Sequence, residues 1–493
     1  MTPTPTRVRP RLHPIETVAM VVVSLALTVV SYLHKTTCTT GVVDGKGSSV
    51  GVTLQDLTQR ACYSDVLSLW GGRRLVGHLL PYVHGSYTAD PPAVHGGTVE
   101  YPTLTGLVVW LTALPVRTDS GFLFVTMLVF LPIVATTTVL LARTAGHRAW
   151  IWAATPPLAI YALYNWDVLP VLATTGGLAL VLVGPRRWSP RTRVLLAAAA
   201  FGIGGALKLY PVMFVLPLAL AVLAATPTLP LGQRLLRALA PVGVAVGVLA
   251  VANVPFVLVN AAGWFSVFRF QAARVIDAST LSVWYWGFRP WSDDTSAHTQ
   301  AVMRNASTVA TALAIAAVVV VSLVLARRRG HVPWVQTAAA LLCVYMAFNK
   351  VDSLQYTLWL LPFFVVLRVR IGWVVAYLVA DLAAFVGWYR WIYYGTLGHA
   401  SGTTWADQAL AIGVWGRFGL LLALVFAFFA SEVARRTPGT VDAVGGNDPD
   451  AIGPSAIGPD ASDADGNDPD AIGPDASVSS VARHRDVARS PTA

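Results

Sequence analysis

The sequence predicts an all-α, polytopic membrane protein of about twelve transmembrane helices. The chain of 493 residues is 55% hydrophobic and only 12% charged, whereas soluble domains carry about 25% charged residues. Its apolar runs have the length of membrane spans, and most arginines lie in short clusters between them, as in cytoplasmic loops. The net charge of +10 therefore reflects membrane topology and does not indicate nucleic-acid binding.

Twelve apolar runs define the predicted spans, and basic clusters mark their cytoplasmic ends. The runs are Glu16–Leu33, Gly121–Ala142, Trp150–Tyr164, Val168–Gly184, Val194–Ala206, Tyr210–Ala224, Ala238–Val259, Ser307–Ala326, Trp334–Phe348, Tyr356–Leu367, Gly372–Trp391 and Gln408–Ala430. The clusters are Arg7/Arg9/Arg11, Arg143/Arg148, Arg186/Arg187/Arg191/Arg193, Arg234/Arg237, Arg327/Arg328/Arg329, Arg368/Arg370 and Arg435/Arg436. Two spans separate each cluster from the next, which places both termini in the cytoplasm.

A thirteenth apolar run, Pro102–Pro115, is predicted to lie at the outer membrane surface. Positive loops stay in the cytoplasm, so an even number of crossings must separate the first basic cluster from Arg143. The runs Glu16–Leu33 and Gly121–Ala142 supply two crossings. A third would place every later cluster outside, and the run is therefore interpreted as an interfacial helix.

The predicted domain organisation is one membrane domain with a polar segment at each end. Residues 1–15 form a basic cytoplasmic N-terminus, and residues 16–436 form the transmembrane domain. On the outer face this domain has a large first loop at 34–120 and a later loop at 260–305. Residues 437–493 are rich in Asp, Pro, Gly and Ala and contain a repeated motif, so a disordered cytoplasmic tail is expected.

Carboxylates on the predicted outer face are the candidate catalytic groups. Asp65 begins an amphipathic helical segment and could serve as its N-cap, a task that Ser64 could fill equally well. Glu100 precedes the interfacial helix and could act in catalysis or stabilise the N-terminus of that helix. Asp167 lies at a corner between two spans, where interhelical hydrogen bonding is the alternative to a catalytic role.

Cations and aromatic residues share the same predicted face. Their positive charge suits the phosphate of an anionic lipid headgroup, although snorkelling at the interface also explains it. These candidate donor-phosphate ligands are Lys208, Lys350, Arg269, Arg274 and Arg289. Aromatic rings suit a sugar, although a membrane-interface belt explains tryptophans as well. The candidate substrate-binding residues are Tyr82, Tyr101, Asn165, Trp284, Trp286 and Gln355.

Histidine and cysteine spacing argues against a metal site, and no cofactor is expected. The histidines of the first loop are not at metal-ligand spacing. Cys38 and Cys62 lie in that loop, where a disulfide can persist, but the sequence leaves their pairing open. Cys343 lies in an apolar run and is expected to be inert.

Four short motifs between Ser64 and Pro362 carry a resemblance that extends over about residues 15–432. They are Ser64-Asp65 with Gly77 and Pro81-Tyr82, Glu100-Tyr101-Pro102, Lys208-Leu209-Tyr210-Pro211, and Lys350-Val351-Asp352-Ser353-Leu354-Gln355-Tyr356 before Trp359-Leu360-Leu361-Pro362. In these motifs the chain resembles the multi-span glycosyltransferases of the C-type (GT-C) fold that use polyprenyl-phosphate sugars. It resembles family 87 in particular, which includes actinobacterial mannosyltransferases that elongate membrane glycolipids.

The resemblance implies surface helices in the first outer loop and an active site on the outer face of the plasma membrane. It implies transfer of a sugar, with mannose favoured, from polyprenyl phosphate to a lipid-linked or cell-envelope glycan. The family's catalytic acidic residue falls on Asp65, which would act as a base and take the proton of the acceptor hydroxyl, while the cations stabilise the leaving phosphate. For a catalytic histidine in the later loop the sequence offers only His298. A secondary transporter or lipid flippase is the alternative function, which the lack of a visible repeat disfavours.

Overall fold

The computed structural model describes residues 13–434 and consists of α-helices with one β-hairpin. The helices are α1 (Pro14–Thr36), α2 (Leu54–Gln59), α3 (Asp65–Gly72), α4 (Thr103–Ala113), α5 (Asp119–Ala145), α6 (Trp150–Ala153), α7 (Pro156–Tyr161), α8 (Val168–Val183), α9 (Pro190–Leu207), α10 (Val215–Ala224), α11 (Leu231–Ala273), α12 (Val283–Trp286), α13 (Ala297–Arg329), α14 (Trp334–Phe348), α15 (Thr357–Val366), α16 (Ile371–Thr396) and α17 (Trp405–Phe429). The hairpin pairs β1 (Ser86–Ala89) with β2 (Pro92–His95) in antiparallel orientation. The predicted N-terminal basic cluster, Arg435/Arg436 and the tail at 437–493 lie outside the described residues.

Six helices of the described region are long and apolar enough to cross a membrane. They are α1, α5 with its extension to Ala153, α11, α13, α16 and α17. The remaining predicted runs also fall on helices, but on shorter ones. The run Trp150–Tyr164 is divided into α6 and α7, because Pro156 and Pro157 lack the N–H that a continuing helix needs. The structure thus shows a mostly helical chain with six candidate spans, and the twelve crossings stay a prediction.

Helix α4 corresponds to the predicted interfacial run. With 11 residues it rises only about 16 Å, which is less than the roughly 30 Å of a hydrocarbon layer. It packs on α5, α9 and α11, which buries much of its surface but leaves Leu111 56% exposed. Its length therefore agrees with a segment that does not cross the membrane.

Part of the later outer loop predicted at 260–305 is helical, since α11 continues to Ala273 and α13 begins at Ala297. The helix kinks at Asn260, whose side-chain amide donates to the carbonyl oxygens of Val83 at 3.0 Å and Gly85 at 3.2 Å. After the kink, Gly263 approaches the carbonyl oxygen of Tyr82 so closely that a Cβ atom would not fit. The first loop therefore holds the bent end of α11, a long-range contact that local sequence patterns do not report.

Helix α15 lies at the centre of the bundle. All 10 of its residues are buried, among α5, α6, α7, α8, α14 and α16, as expected of a helix that is apolar on every side. At its C-terminal end the Arg148 guanidinium donates to the carbonyl oxygens of Phe364 at 2.6 Å and Val365 at 3.1 Å. Arg368, which pairs with Glu432 at 3.6 Å, follows the same end. Predicted cytoplasmic arginines thus gather at one end of α15.

Candidate active site

A cavity of about 730 Å³ lies at the other end of α15. Its walls come from the first loop, the segment before α4, the end of α9, the bent end of α11, and the chain between α14 and α15. The candidates from the sequence that line it are Asp65, Glu100, Tyr101, Lys208, Arg274, Lys350 and Gln355. The fold therefore brings residues from distant parts of the chain around one space.

Asp65 presents its carboxylate to this cavity between two phenols. Tyr63 donates a hydrogen bond to Oδ1 at 2.7 Å, and Tyr101 donates one to Oδ2 at 2.6 Å. Ser64, not Asp65, caps α3, since its hydroxyl accepts from the backbone N–H of Val66 at 3.2 Å. The alternative of an Asp65 N-cap is therefore wrong, and the carboxylate keeps lone pairs that no helix terminus uses.

Burial and hydrogen bonding act in opposite directions on Asp65. Burial raises the pKa of this carboxyl, while the hydrogen bonds from Tyr101 and then Tyr63 lower it, and the rise is the larger effect. The pKa of Tyr101 lies well above its ordinary value, because the phenol is buried and faces the Asp65 charge. Tyr101 thus stays a donor, and Asp65 becomes a stronger proton acceptor than a solvated aspartate.

The other two candidate carboxylates are engaged by cations. Arg73 donates from Nε and Nη2 to the two oxygens of Glu100, at 2.9 and 3.1 Å, so Glu100 lines the cavity as half of a bidentate ion pair. Asp167, whose side chain is 1% exposed, pairs with the ammonium of Lys208. Asp167 thus fits the alternative of a polar contact between helix ends, and it does not line the cavity.

Aromatic rings surround the Lys208 ammonium on the cavity side. The Nζ atom lies 5.5 Å from the ring centroid of Tyr101, 5.1 Å from that of Tyr356 and 5.0 Å from that of Trp359. Tyr356 and Trp359 stack on each other with centroids 3.7 Å apart. Cation–π attraction and the Asp167 carboxylate together hold this charge at the cavity wall.

Arg274 and Lys350 face the cavity without a carboxylate partner. Within residues 13–434 no hydrogen bond or ion pair engages the Arg274 guanidinium. The Lys350 ammonium donates to the backbone carbonyl of Gln271 at 2.6 Å. Burial, followed by the charges of Arg274 and Arg304, lowers the pKa of Lys350 to about 8. Two cations that lack a counterion make this wall suited to an anion.

Comparison with known proteins decides the class of this site. The mannosyltransferase (PIG-M) family matches residues 178–429, just over half of the chain of 493 residues. The chain belongs to the mannosyltransferase (PIG-M) family. It is a glycosyltransferase of the C-type class, which confirms the prediction of an enzyme and decides against a transporter. No curated protein matches the chain.

The matched region of this mannosyltransferase covers one side of the cavity. It includes Lys208, Arg274 and Lys350 and begins after Asp65 and Glu100. The roles of Asp65 and Glu100 are therefore inferred from the geometry of the cavity and not from the family match. In the described residues 13–434, no group of three or more His, Cys, Asp or Glu side chains is placed to hold a metal ion.

Two predicted donor-phosphate ligands of the mannosyltransferase do not line the cavity. Arg289 pairs with Asp293 at 3.0 Å, and Arg269 lines a separate groove. The sequence places both in one loop with Arg274, but the bend of α11 directs only Arg274 into the cavity. His298 is exposed at the start of α13 and does not line the cavity either.

Four predicted substrate-binding residues make hydrogen bonds to the protein backbone and do not line the cavity. Tyr82 is 1% exposed, and its hydroxyl donates to the carbonyl oxygen of Tyr101 at 3.0 Å. The Asn165 side chain accepts from the Asp167 backbone N–H at 3.0 Å. The indole N–H groups of Trp284 and Trp286 donate to backbone carbonyls at 2.8 and 3.1 Å. Of the predicted sugar-binding set, the structure places Tyr101 and Gln355 at the cavity.

A buried charge cluster beneath the cavity escaped the sequence analysis. Arg417, 0% exposed, donates to Asp352 at 2.9 Å and lies 3.7 Å from Asp381. Tyr161 and Thr357 donate to the two Asp381 oxygens, at 2.9 and 2.6 Å. Because Asp381 and Arg417 are charged residues inside predicted spans, their cost in an apolar environment was the signal that could have revealed them.

The structure also settles the cysteine pairing that the sequence left open. Cys38 and Cys62 form a disulfide with Cα atoms 5.8 Å apart, and Cys343 is free and buried. The bridge closes the part of the first loop that leads into Tyr63 and Asp65. It thus tethers the cavity's acidic wall to the end of α1.

Proposed function

We propose that this mannosyltransferase transfers mannose from a polyprenyl-phosphate donor to a lipid-linked or cell-envelope glycan acceptor. One observation carries the proposal: a carboxylate held by two phenols and cations without counterions line the same cavity. Asp65 supplies a proton acceptor, while Arg274 and Lys350 supply charge for a phosphate. A sugar bound between them would have both reacting partners at hand.

The proposed reaction is a displacement at the anomeric carbon of the donor sugar. The acceptor oxygen forms a new bond to that carbon, and its proton passes to Asp65. The bond between carbon and phosphate oxygen breaks, and its electron pair leaves with the lipid phosphate. Arg274, Lys350 and the ring-enclosed Lys208 stabilise the resulting negative charge, so the step needs no separate acid for the leaving group.

The proposed location is the plasma membrane, with twelve crossings, both termini in the cytoplasm and the cavity facing outward. Arg148 and Arg368 lie at the end of α15 opposite the cavity, which supports a cytoplasmic face there. The Cys38–Cys62 disulfide on the cavity side favours an oxidising compartment. The four sequence motifs support the further proposal that, among C-type glycosyltransferases, the chain is most similar to family 87.

The test is sugar transfer by the purified full-length protein in proteoliposomes. Polyprenyl-phosphate mannose with a labelled sugar is expected to label a lipid fraction of the source membranes, while a nucleotide-linked mannose is not. Polyprenyl-phosphate glucose serves as the matched control for the sugar. Transfer from the nucleotide donor alone would contradict the proposed lipid-linked donor. Equal transfer of glucose and mannose from the two lipid-linked donors would contradict the preference for mannose.

A further inference from the structure

A groove of about 870 Å³ lies next to the cavity, between the bent end of α11 and the outer part of α13. Asn349 and Lys350 line both spaces, so the two share one wall. From Arg304 the lining continues along α13 through Ala312 to Ile315. The groove therefore combines a basic end beside the cavity with an extension along a candidate membrane span. This extension passes Thr308 and Thr311 before it reaches the apolar residues Ala312 and Ile315.

The polar end of the groove is positively charged. Arg269 comes from α11, Arg304 from α13 and Lys350 from the segment that follows α14, and no described residue of the lining is acidic. No ion pair engages any of the three within residues 13–434. The lowered pKa of Lys350 reflects burial and the nearby positive charges. Like charges gathered without a counterion form a site that an anion would stabilise.

The flanking helices indicate that this anion comes from the bilayer. Only 6% of the apolar window of α11 and 11% of that of α13 are buried inside the protein, against 39% for α5. The two helices pack on different partners, α11 on α9 and α10, and α13 on α14. Next to the groove, Val309 and Leu313 of α13 are 57% and 67% exposed. An acyl or prenyl chain can cover this surface, whereas a free anion cannot.

We propose that this groove binds the phosphate of an anionic lipid, with the lipid chain lying along α13. Lys350 contacts the phosphate from the shared wall, so the groove is a docking position from which a lipid phosphate reaches the cavity. The identification of that lipid as the polyprenyl-phosphate donor rests on the proposed function. Binding of an anionic lipid does not.

The experiment uses the full-length protein with a photoreactive diazirine amino acid in place of Thr308, an exposed residue of the groove. Radiolabelled polyprenyl phosphate is expected to become cross-linked. The double variant Arg269→Gln/Arg304→Gln is expected to weaken the interaction about tenfold for each arginine, the loss of one charge-assisted hydrogen bond. The matched control is Arg390→Gln, since Arg390 stacks on Tyr393 of α16 outside the groove.

Competition identifies the source of the phosphate. Phosphatidylglycerol should reduce cross-linking, whereas phosphatidylcholine and inorganic phosphate should not. Displacement by inorganic phosphate at equal concentration, or by phosphatidylcholine as well as by phosphatidylglycerol, would overturn the lipid assignment. Unchanged cross-linking in the double variant would overturn the site itself.

Two further measurements separate this inference from other failures. Arg269→Lys/Arg304→Lys restores the charges, and recovery of cross-linking with this variant excludes misfolding as the cause of the loss. Absence of recovery in a folded protein would contradict a charge-based site. The cross-linking assay contains no sugar and is therefore independent of the transfer assay. Cross-linking of the lipid by a protein that fails to transfer mannose in the separate assay would refute the proposed function and leave the lipid site intact.

Discussion

Replacement of Asp65 by asparagine removes the proposed base while it preserves the shape of the side chain. The new amide can accept a hydrogen bond from one of the two phenols, and the other hydroxyl can rotate to accept one. Ser64 still caps α3, so the helix terminus is unaffected. Asp65→Asn is therefore expected to fold and to bind donor lipid normally.

The expected loss of rate is large because an amide cannot take the acceptor proton. General-base catalysis contributes about 10²–10⁴ in rate, which corresponds to a barrier increase of about 3–5 kcal/mol. Tyr101→Phe retains the base but removes the hydrogen bond at 2.6 Å. Loss of one hydrogen bond to a charged group, about 1.5–3 kcal/mol, sets the upper limit of its effect.

The pH dependence distinguishes the two variants. A base acts in its ionised form, so transfer is lost as pH falls through the pKa of Asp65, which burial raises. Tyr101 lowers this pKa, and its removal is expected to move the acid limb of the rate profile to higher pH. In Asp65→Asn this limb is expected to disappear.

The assay is the initial rate of transfer from labelled polyprenyl-phosphate mannose, measured with the full-length protein across acid and neutral pH. Glu100→Gln is the matched control, since both Glu100 oxygens are bound by Arg73, and its profile is expected to keep the acid limb. A near-wild-type rate for Asp65→Asn would remove Asp65 from the mechanism. The same result with an inactive, folded Glu100→Gln would move the catalytic role to Glu100.

Three other substitutions test the surroundings of the site. Arg417→Met leaves the buried Asp352 and Asp381 without their cation and is expected to cost about 3–5 kcal/mol of stability. Thermal unfolding in detergent measures this loss, and an unchanged midpoint would contradict a structural role for the cluster. Lys208→Met leaves the Asp167 carboxylate unpaired. The double variant Lys208→Met/Asp167→Asn is expected to regain stability but not sugar transfer, and recovered transfer would show that Lys208 has only a structural role. Leu111→Cys, on the exposed side of α4, should react with a membrane-impermeant maleimide on intact cells, and reaction only after permeabilisation would invert the proposed topology.

Sequence patterns predicted the helical architecture because the information is local. A chain in hydrocarbon must satisfy its backbone hydrogen bonds within each span, so apolar runs of sufficient length predict helices. The short helix α4 and the option of a Ser64 cap could be predicted for the same reason, since helix length and capping depend on neighbouring residues. The continuation of α11 beyond Asn260 could not be predicted in this way, because the bend there is held by carbonyls of the first loop.

The partners of the charged residues were decided by the tertiary structure alone. The sequence by itself determined a helical membrane protein, one enzyme class by resemblance, and a set of outer carboxylates and cations. It could not show that Glu100 is bound by Arg73 and Asp167 by Lys208, which leaves Asp65 as the carboxylate between phenols. Charges attract whichever opposite charge the fold brings within a few ångströms, and that distance is set by packing of helices far apart in the chain.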